Sequence, residues 1–297
     1  MEFLRCRPAH LLFPYGITRS EIRNMISGPG ARPLPSMAGV YDNLLGHPNY
    51  SGDQDLQKRL TVLLPGLEEA TQANRAFVLR SAKAVARMGV TQFLDLGSGL
   101  ATDQSIPDVV SRVEPHARVV CVDNDPLVVA HGRAMLAGEH VAIIDADIRM
   151  VNDVLDHAEL ARIGFQADRP TAVIAAAVAH FLRDDDEPAD LLREYLDAFP
   201  SGYLIFTHAC GDDVPADHLE MAVAAYRERI GPIYPRTEAE ITAFLNGLNV
   251  LEPGLVEASH WRPDDSPLEI VGAKFMAAVA GFGNQDSLTR HQEAVRR

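Results

Sequence analysis

Five positions in this sequence place chemically capable residues at the ends of short apolar runs. Asp95-Leu96-Gly97-Ser98-Gly99 closes the run at 91–96, Asp123 follows 118–122, and Asp145-Ala146-Asp147 follows 141–144. His180 comes after the run at 172–178, and Thr207-His208 after the one at 203–207. Two closely spaced glycines let a chain turn sharply and approach a ligand without a Cβ collision. A carboxylate at Asp123 can accept two hydrogen bonds from a ribose diol, and bonds to a charged group contribute about 1.5–3 kcal/mol each. An acid after the third run can receive an adenine amino group. Glycine turn, acid and acid at three successive strand ends therefore point to nucleoside binding. A dinucleotide fingerprint needs a third glycine where this chain has Thr102. No G-x-x-x-x-G-K-[ST] loop is present either, so the pattern fits a mononucleoside laid along the first three strands.

Such residues are useful only if a sheet brings them together. From residue 91 the apolar runs alternate with amphipathic segments, which specifies a parallel, doubly wound α/β sheet. The runs are continuous rather than alternating, as in strands buried on both faces. In open sheets of this kind, ligands bind beyond the carboxyl ends of the strands. Asp125-Pro126 is an N-cap with proline in the first helical position, and Gly138 should end that helix. An acidic loop then leads into a helix through Phe199. Thr237-x-x-Glu240 is a capping box for a helix ending near Gly247, and strands around Val250 and at 268–279 close the sheet. Upstream, residues 37–90 read as helical, broken near 46–48 and at Pro65-Gly66. Phe77, Ala84, Val85 and Met88 share one face before Gly89 stops the last helix. Residues 1–36, with a capping box at Thr18-x-x-Glu21, read as an extension. The expected organisation is thus an extension at 1–36, a helical cap over the pocket at 37–90, a Rossmann-like domain at 91–285 and a polar tail at 286–297.

The chain has 297 residues, 47% hydrophobic and 23% charged, with a formal charge of −14. That composition excludes wholesale disorder. The acidity, with no Lys/Arg run, argues against nucleic acid and anionic membranes as partners. Cys6, Cys121 and Cys210 are odd in number and far apart, which suits a reducing cytoplasm better than a disulfide framework. The N-terminus is interrupted by Arg5, Arg7, Pro8 and His10, unlike a signal peptide, and the longest apolar run, at 172–179, is too short to span a bilayer. A cytoplasmic location is expected. No histidine pair has metal-ligand spacing, and Asp184-Asp185-Asp186-Glu187 reads as a solvated run at a helix N-terminus, so no metal is expected. No feature specifies an oligomeric state.

The motifs D-L-G-S-G at 95–99, V-C-V-D at 120–123 and D-A-D at 145–147 resemble those of class I S-adenosylmethionine-dependent methyltransferases. More narrowly, V-Y-D-N-L-L-G at 40–46, A-N-R-A-F at 73–77, Q-F-L-D-L-G-S-G-L at 92–100, V-D-N-D-P at 122–126 and A-V-A-H-F-L at 177–182 resemble a family of S-adenosyl methyltransferase-like proteins. The likeness continues through R-T-E-A-E-I at 236–241, L-E-P-G-L-V at 251–256 and H-W-R-P at 260–263. Where that family reads L-L-G-G-K-x-N-[FY], this chain has Leu44-Leu45-Gly46-His47-Pro48-Asn49-Tyr50. The resemblance implies a seven-stranded, mostly parallel sheet ending in an antiparallel hairpin, with S-adenosylmethionine as cofactor. It implies that Asp95, Gly97, Ser98 and Gly99 surround the methionine part, Asp123 takes the ribose, and Asp147 with the Ile148 backbone takes the adenine. Asn124 would touch adenine through its backbone, and Tyr41 and Arg75 would reach over the cofactor. His180 is the first candidate for a base or a substrate-positioning donor, and His208 the second. Tyr234, Arg236 and Trp261 belong to a segment that could roof the pocket, although a structural role suits them better. The expected reaction is in-line methyl transfer to oxygen or nitrogen of a small-molecule acceptor. A non-methylating reaction on the same cofactor (cyclisation, elimination or rearrangement) and a non-catalytic ligand-binding role stay open on the sequence.

Overall fold

Five parallel strands form where the apolar runs predict them. In the computed structural model, described for residues 35–284 apart from 48, 50, 103 and 265, these are β1 (Gln92–Leu96), β2 (Arg118–Asp123), β3 (Val141–Asp145), β4 (Thr171–Ala176) and β5 (Ser201–Cys210). Three more strands follow: β6 (Asn249–Val250), β7 (Val256–Glu257) and β8 (Lys274–Gly283). The order is β3-β2-β1-β4-β5-β8-β6, with β7 also paired to β8, and β8 runs antiparallel to β5, β6 and β7. The sheet therefore has eight strands rather than seven. The extra one, β7, is only two residues long, too short for a hydrophobic pattern to reveal.

The intervening helices are α1 (Met37–Leu44), α2 (Ser51–Leu63), α3 (Leu67–Arg87), α4 (Ile106–Ser111), α5 (Pro126–Met135), α6 (Val151–Leu155), α7 (Ala158–Arg162), α8 (Pro188–Asp197), α9 (Ala216–Arg229) and α10 (Glu238–Ala243). Their starts follow local chemistry. The Asp125 carboxylate accepts from the Leu127 N–H at 2.9 Å, and Thr237 and Glu240 form a reciprocal capping box. Before α3, Gly66 turns in the left-handed region, and Glu68 and Glu69 in the first turn against Arg87 in the last complement the helix dipole.

Both sheet faces are buried. Leu94, Val120, Ile144, Val173 and Leu204 point to one side, against α6, α7, α8 and α10. Phe93, Val119, Ile143, Ile174 and Ile205 point to the other, against α3, α4 and α5. This is the two-residue strand period covered on both sides, hence the unbroken runs. A third cluster joins Val40 and Leu44 of α1, Leu56 and Leu60 of α2, and Ala222, Ala225 and Tyr226 of α9. The predicted helical segment at 37–90 is thereby divided. Its second helix packs on α9, for which no sequence expectation was stated, and α1 lies on α2 and α3, whereas α3 also lies against the sheet.

Several boundaries move. β4 ends at Ala176, not 178, and β5 runs on to Cys210, so His208 lies inside it rather than after it. α5 ends at Met135, before Gly138, and β8 begins at Lys274, after an irregular stretch at 268–273. The capping box at Thr18-x-x-Glu21, Cys6 and the tail at 286–297 lie outside the described residues. Among those described, no helix is long and apolar enough to cross a membrane.

Candidate cofactor site

The parallel register sets the carboxylates side by side. Asp95 of β1 pairs with Cys121 of β2, and Asp123 of β2 pairs with Asp145 of β3. After β1 the chain is clipped to β2, because the Gly97 and Ser98 N–H groups both donate to the Val122 carbonyl, at 2.8 and 3.0 Å. Gly97 has φ +73°, and a Cβ there would stand 2.5 Å from Val178 Cγ2, so glycine is required twice over. Gly99 has φ +67°, but a Cβ on it would meet nothing within 4 Å, which leaves open space beside the turn.

Asp123 borders that turn. Its Oδ2 accepts from Gly99 N–H at 3.0 Å and its Oδ1 from Asp125 N–H at 2.9 Å. A carboxylate offers about four acceptor positions, so the group keeps capacity after being fixed in place. Burial raises the Asp123 pKa, and the backbone N–H groups of Asp125, Gly99 and Asn124 oppose the shift. Asp95 is only 6% exposed. Its pKa is raised to about 7, first by burial, with Arg75 pulling it down and Asp123 pushing it up. The same electrostatic neighbourhood includes Tyr41, whose phenol is raised by burial and lowered by Arg75.

Tyr41 and Arg75 come from α1 and α3. The Tyr41 hydroxyl accepts from Asn74 Nδ2 at 2.7 Å. Asn74 itself is 1% exposed, with its Oδ1 buried and unpartnered. Arg75 Nη2 donates to Thr102 Oγ1 at 3.1 Å and to the Gln104 carbonyl at 2.6 Å, tying α3 to the loop after β1. At the end of β3, Asp147 is gripped by Arg149, whose Nε lies 3.0 Å from both carboxylate oxygens, and this pairing lowers the Asp147 pKa. The Ile148 carbonyl accepts from the Tyr195 hydroxyl at 2.7 Å, so α8 pins this turn. Asn124, next to Asp123, is exposed, as is Asp145. The structure thus brings Tyr41, Arg75, Asp95, Asp123 and the Gly97–Gly99 turn together. Asn74 supports that arrangement through Tyr41, Arg149 and Tyr195 hold the separate turn at Asp147 and Ile148, and no spacing in the sequence distinguishes these three from ordinary helix or turn residues.

The two histidines form a different cluster, on the β4 and β5 side. His180 sits in a 3₁₀ turn (Ala179–Phe181) after β4 and is 3% exposed; His208 is 0% exposed. Their ring centroids are 5.4 Å apart. Hydrogen bonding determines both tautomers. Arg236 Nη1 can only donate, so His208 Nε2 accepts at 2.8 Å, and His208 Nδ1–H donates to the Ala209 carbonyl at 2.8 Å. Both nitrogens of His208 are occupied, which corrects its reading as an available base. His180 Nδ1 accepts from Ala209 N–H at 3.4 Å, which places the ring proton on Nε2. Burial lowers both pKa values, that of His208 to about 4.

Arg236 organises this cluster. It is 8% exposed, and it also donates to the carbonyls of Ala179 and Leu182, at 3.3 and 3.2 Å, and to Asp184 Oδ1 at 2.7 Å. The acidic run at 184–187 therefore begins with a partner for a buried guanidinium. The Tyr234 N–H donates to the His180 carbonyl at 2.7 Å. Trp261 is 1% exposed and meets Phe77 edge to face at 5.3 Å, so it is a core residue. Cys121 and Cys210 are buried free thiols whose pKa values are raised by burial.

The donor set suits S-adenosylmethionine: an anchored acid with spare acceptor capacity, an open left-handed glycine turn, and a buried acid beside Arg75. The comparisons agree. The sequence model of the S-adenosyl methyltransferase family matches residues 31–286. Among solved structures, a methyltransferase candidate from Thermobifida fusca YX is 33% identical, with a TM-score of 0.76 over 84% of this chain and 96% of that one. A DUF574 family protein from Streptomyces avermitilis MA-4680 is 30% identical, with a TM-score of 0.77 over 83% of this chain and 97% of that one. No curated protein matches. With the family model spanning most of the length and the Rossmann-like sheet in place, the chain belongs to the S-adenosyl methyltransferase family and is a class I S-adenosylmethionine-dependent methyltransferase.

Proposed function

We propose that this methyltransferase acts on a small-molecule acceptor, methylating oxygen or nitrogen, with Asp123 as the ribose anchor of the cofactor cleft. The observation that carries the cleft assignment is the Asp123 carboxylate, held by the Gly99 and Asp125 N–H groups with acceptor capacity to spare. Asp147 and the Ile148 backbone would hold the adenine, with Asn124 beside them. Asp95, Gly97, Ser98 and Gly99 would surround the methionine part, and Tyr41 and Arg75 would cover it. When bound, S-adenosylmethionine supplies a methyl group on a sulfonium centre whose leaving group is neutral. The protein's remaining task is orientation, which alone can supply about 7–11 kcal/mol. His180 serves that task as a donor through Nε2–H, and His208 and Arg236 act through it by fixing the turn. The net charge of −14 supports a small acceptor over a nucleic acid.

Replacing Asp123 with Ala should weaken S-adenosylmethionine binding at least tenfold by calorimetry; unchanged affinity would remove the ribose assignment. Incubation with a radiolabelled methyl donor and a small-molecule panel should give an acceptor heavier by one methyl in place of hydrogen. Label appearing only on nucleic acid or protein would overturn the small-acceptor reading.

A further inference from the structure

A cavity of ≈ 570 Å³ lies outside the glycine turn and the strand-end acids, lined chiefly by α3 and by the segment at 102–112. Its size falls in the range of small-molecule pockets, about 300–1,000 Å³. Its α3 residues, among them Arg75, Leu79, Arg80 and Lys83, recur at helical spacing beside the stripe that faces the sheet. Val109 of α4 and Arg112, which caps that helix, also line the cavity. Among the described residues, four cations thus line one cavity, against one lining carboxylate, Asp264. This reverses the balance of the whole chain, which has 41 acidic and 27 basic residues.

None of the four cations is in an ion pair among the described residues. The hydrogen bonds of Arg75 go to Thr102 Oγ1 and the Gln104 carbonyl, and those of Arg80 to the carbonyls of Ala258 and Trp261. These are neutral oxygens; the carboxylates that act on these cations are Asp95, facing Arg75, and Asp264, facing Arg80. Arg80 Nε is in addition buried without an acceptor. A buried donor left unsatisfied is costly, and a ligand anion is the chemistry that satisfies it. Leu79 and Val109 are half-buried and offer apolar surface between the charges.

We propose that this cavity binds a small organic anion, with its apolar body against Leu79 and Val109 and its carboxylate or phosphate among Arg75, Arg80, Lys83 and Arg112. The site is separate from the ribose and adenine positions and meets the cofactor cleft only at Arg75. The proposal does not depend on which acceptor is methylated.

The test titrates the full chain with benzoate, phenyl phosphate and inorganic phosphate by calorimetry, with and without saturating S-adenosylmethionine. Saturable binding of benzoate or phenyl phosphate is expected, tighter than inorganic phosphate and weakening as salt rises. The tighter of the two aromatic probes identifies the headgroup. Lys83→Glu/Arg112→Glu should weaken binding at least tenfold and leave S-adenosylmethionine affinity unchanged. Both side chains are exposed, and the milder Lys83→Gln/Arg112→Gln pair, expected to lose several-fold, covers the case in which charge reversal prevents folding. Absence of saturable binding, unchanged binding in both pairs, or full displacement by S-adenosylmethionine would overturn the proposal. So would inorganic phosphate binding as well as phenyl phosphate, or a single-stranded oligonucleotide binding more tightly than either aromatic anion.

Discussion

At the residue scale, the sharpest asset is a pair of acids in unlike surroundings. Asp123 is stabilised by two N–H donors, whereas Asp95 is buried with its pKa raised to about 7. A carboxyl group raised from 3.8 makes a stability contribution that is fully present below pH 3.8 and lost as pH rises through about 7. Asp95→Asn should therefore stabilise the ligand-free protein at pH 8 by roughly 2–4 kcal/mol, at ~1.4 kcal/mol per tenfold, and much less at pH 5. Urea unfolding at the two pH values checks this, and an equal effect at both would contradict it. The glycines give a second contrast. Gly97→Ala adds a collision with Val178 to a left-handed backbone, and should cost ~2–4 kcal/mol. Gly99→Ala carries only the conformational cost, ~1–2 kcal/mol, but fills the open space beside Asp123. Thermal melts should rank Gly97→Ala as the less stable, while calorimetry should show Gly99→Ala, once folded, binding S-adenosylmethionine more weakly than wild type.

At the element scale, the exit of β4 and the body of β5 are joined through Arg236. Its guanidinium satisfies two carbonyls and His208 Nε2 in a buried setting, and Asp184 at the edge. Arg236→Met should destabilise by about 2–4 kcal/mol, because several buried acceptors lose their donor together. Asp184 is 86% exposed, so Asp184→Ala should cost no more than ~1 kcal/mol. Denaturant midpoints would separate the two; similar losses would place the energy in the ion pair instead. The same network was only partly legible beforehand. Arg236 stood out as belonging to a segment near the pocket, and His180 as a strand-end residue. What hid His208 was the length of β5, which continues past Thr207 because β8 pairs with it from Ser201↔Gly283 to Cys210↔Lys274. Long-range antiparallel pairing has no local signal that marks where a strand stops.

At the scale of the whole molecule, two opposing titrations set the pH window. His208 is lowered from 6.5 to about 4, so its stability contribution is present above pH 6.5 and lost as pH falls toward 4. Asp95 acts in the opposite direction toward pH 7 and above. Wild-type Tm should therefore fall from pH 6.5 to pH 4, and the slope should be shallower in a folded His208→Asn variant; an identical slope would show that other groups control acid unfolding. The charge of −14 is a property of the surface as a whole and coexists with a cavity lined by four cations. Composition registers the sum and is blind to the grouping, because Arg75 and Arg112 are brought to one cavity only by the packing of α3 on α4. The sequence by itself determined the parallel sheet, the strand-end acids, the glycine turn and the helix caps, since each rests on neighbours a few residues apart in the chain. The tertiary structure alone decided the eighth strand, the packing of α2 on α9, the Arg236 network and the cation-lined cavity. Each of these depends on which distant segments meet, and burial and hydrogen bonding between them are settled only when the chain is packed.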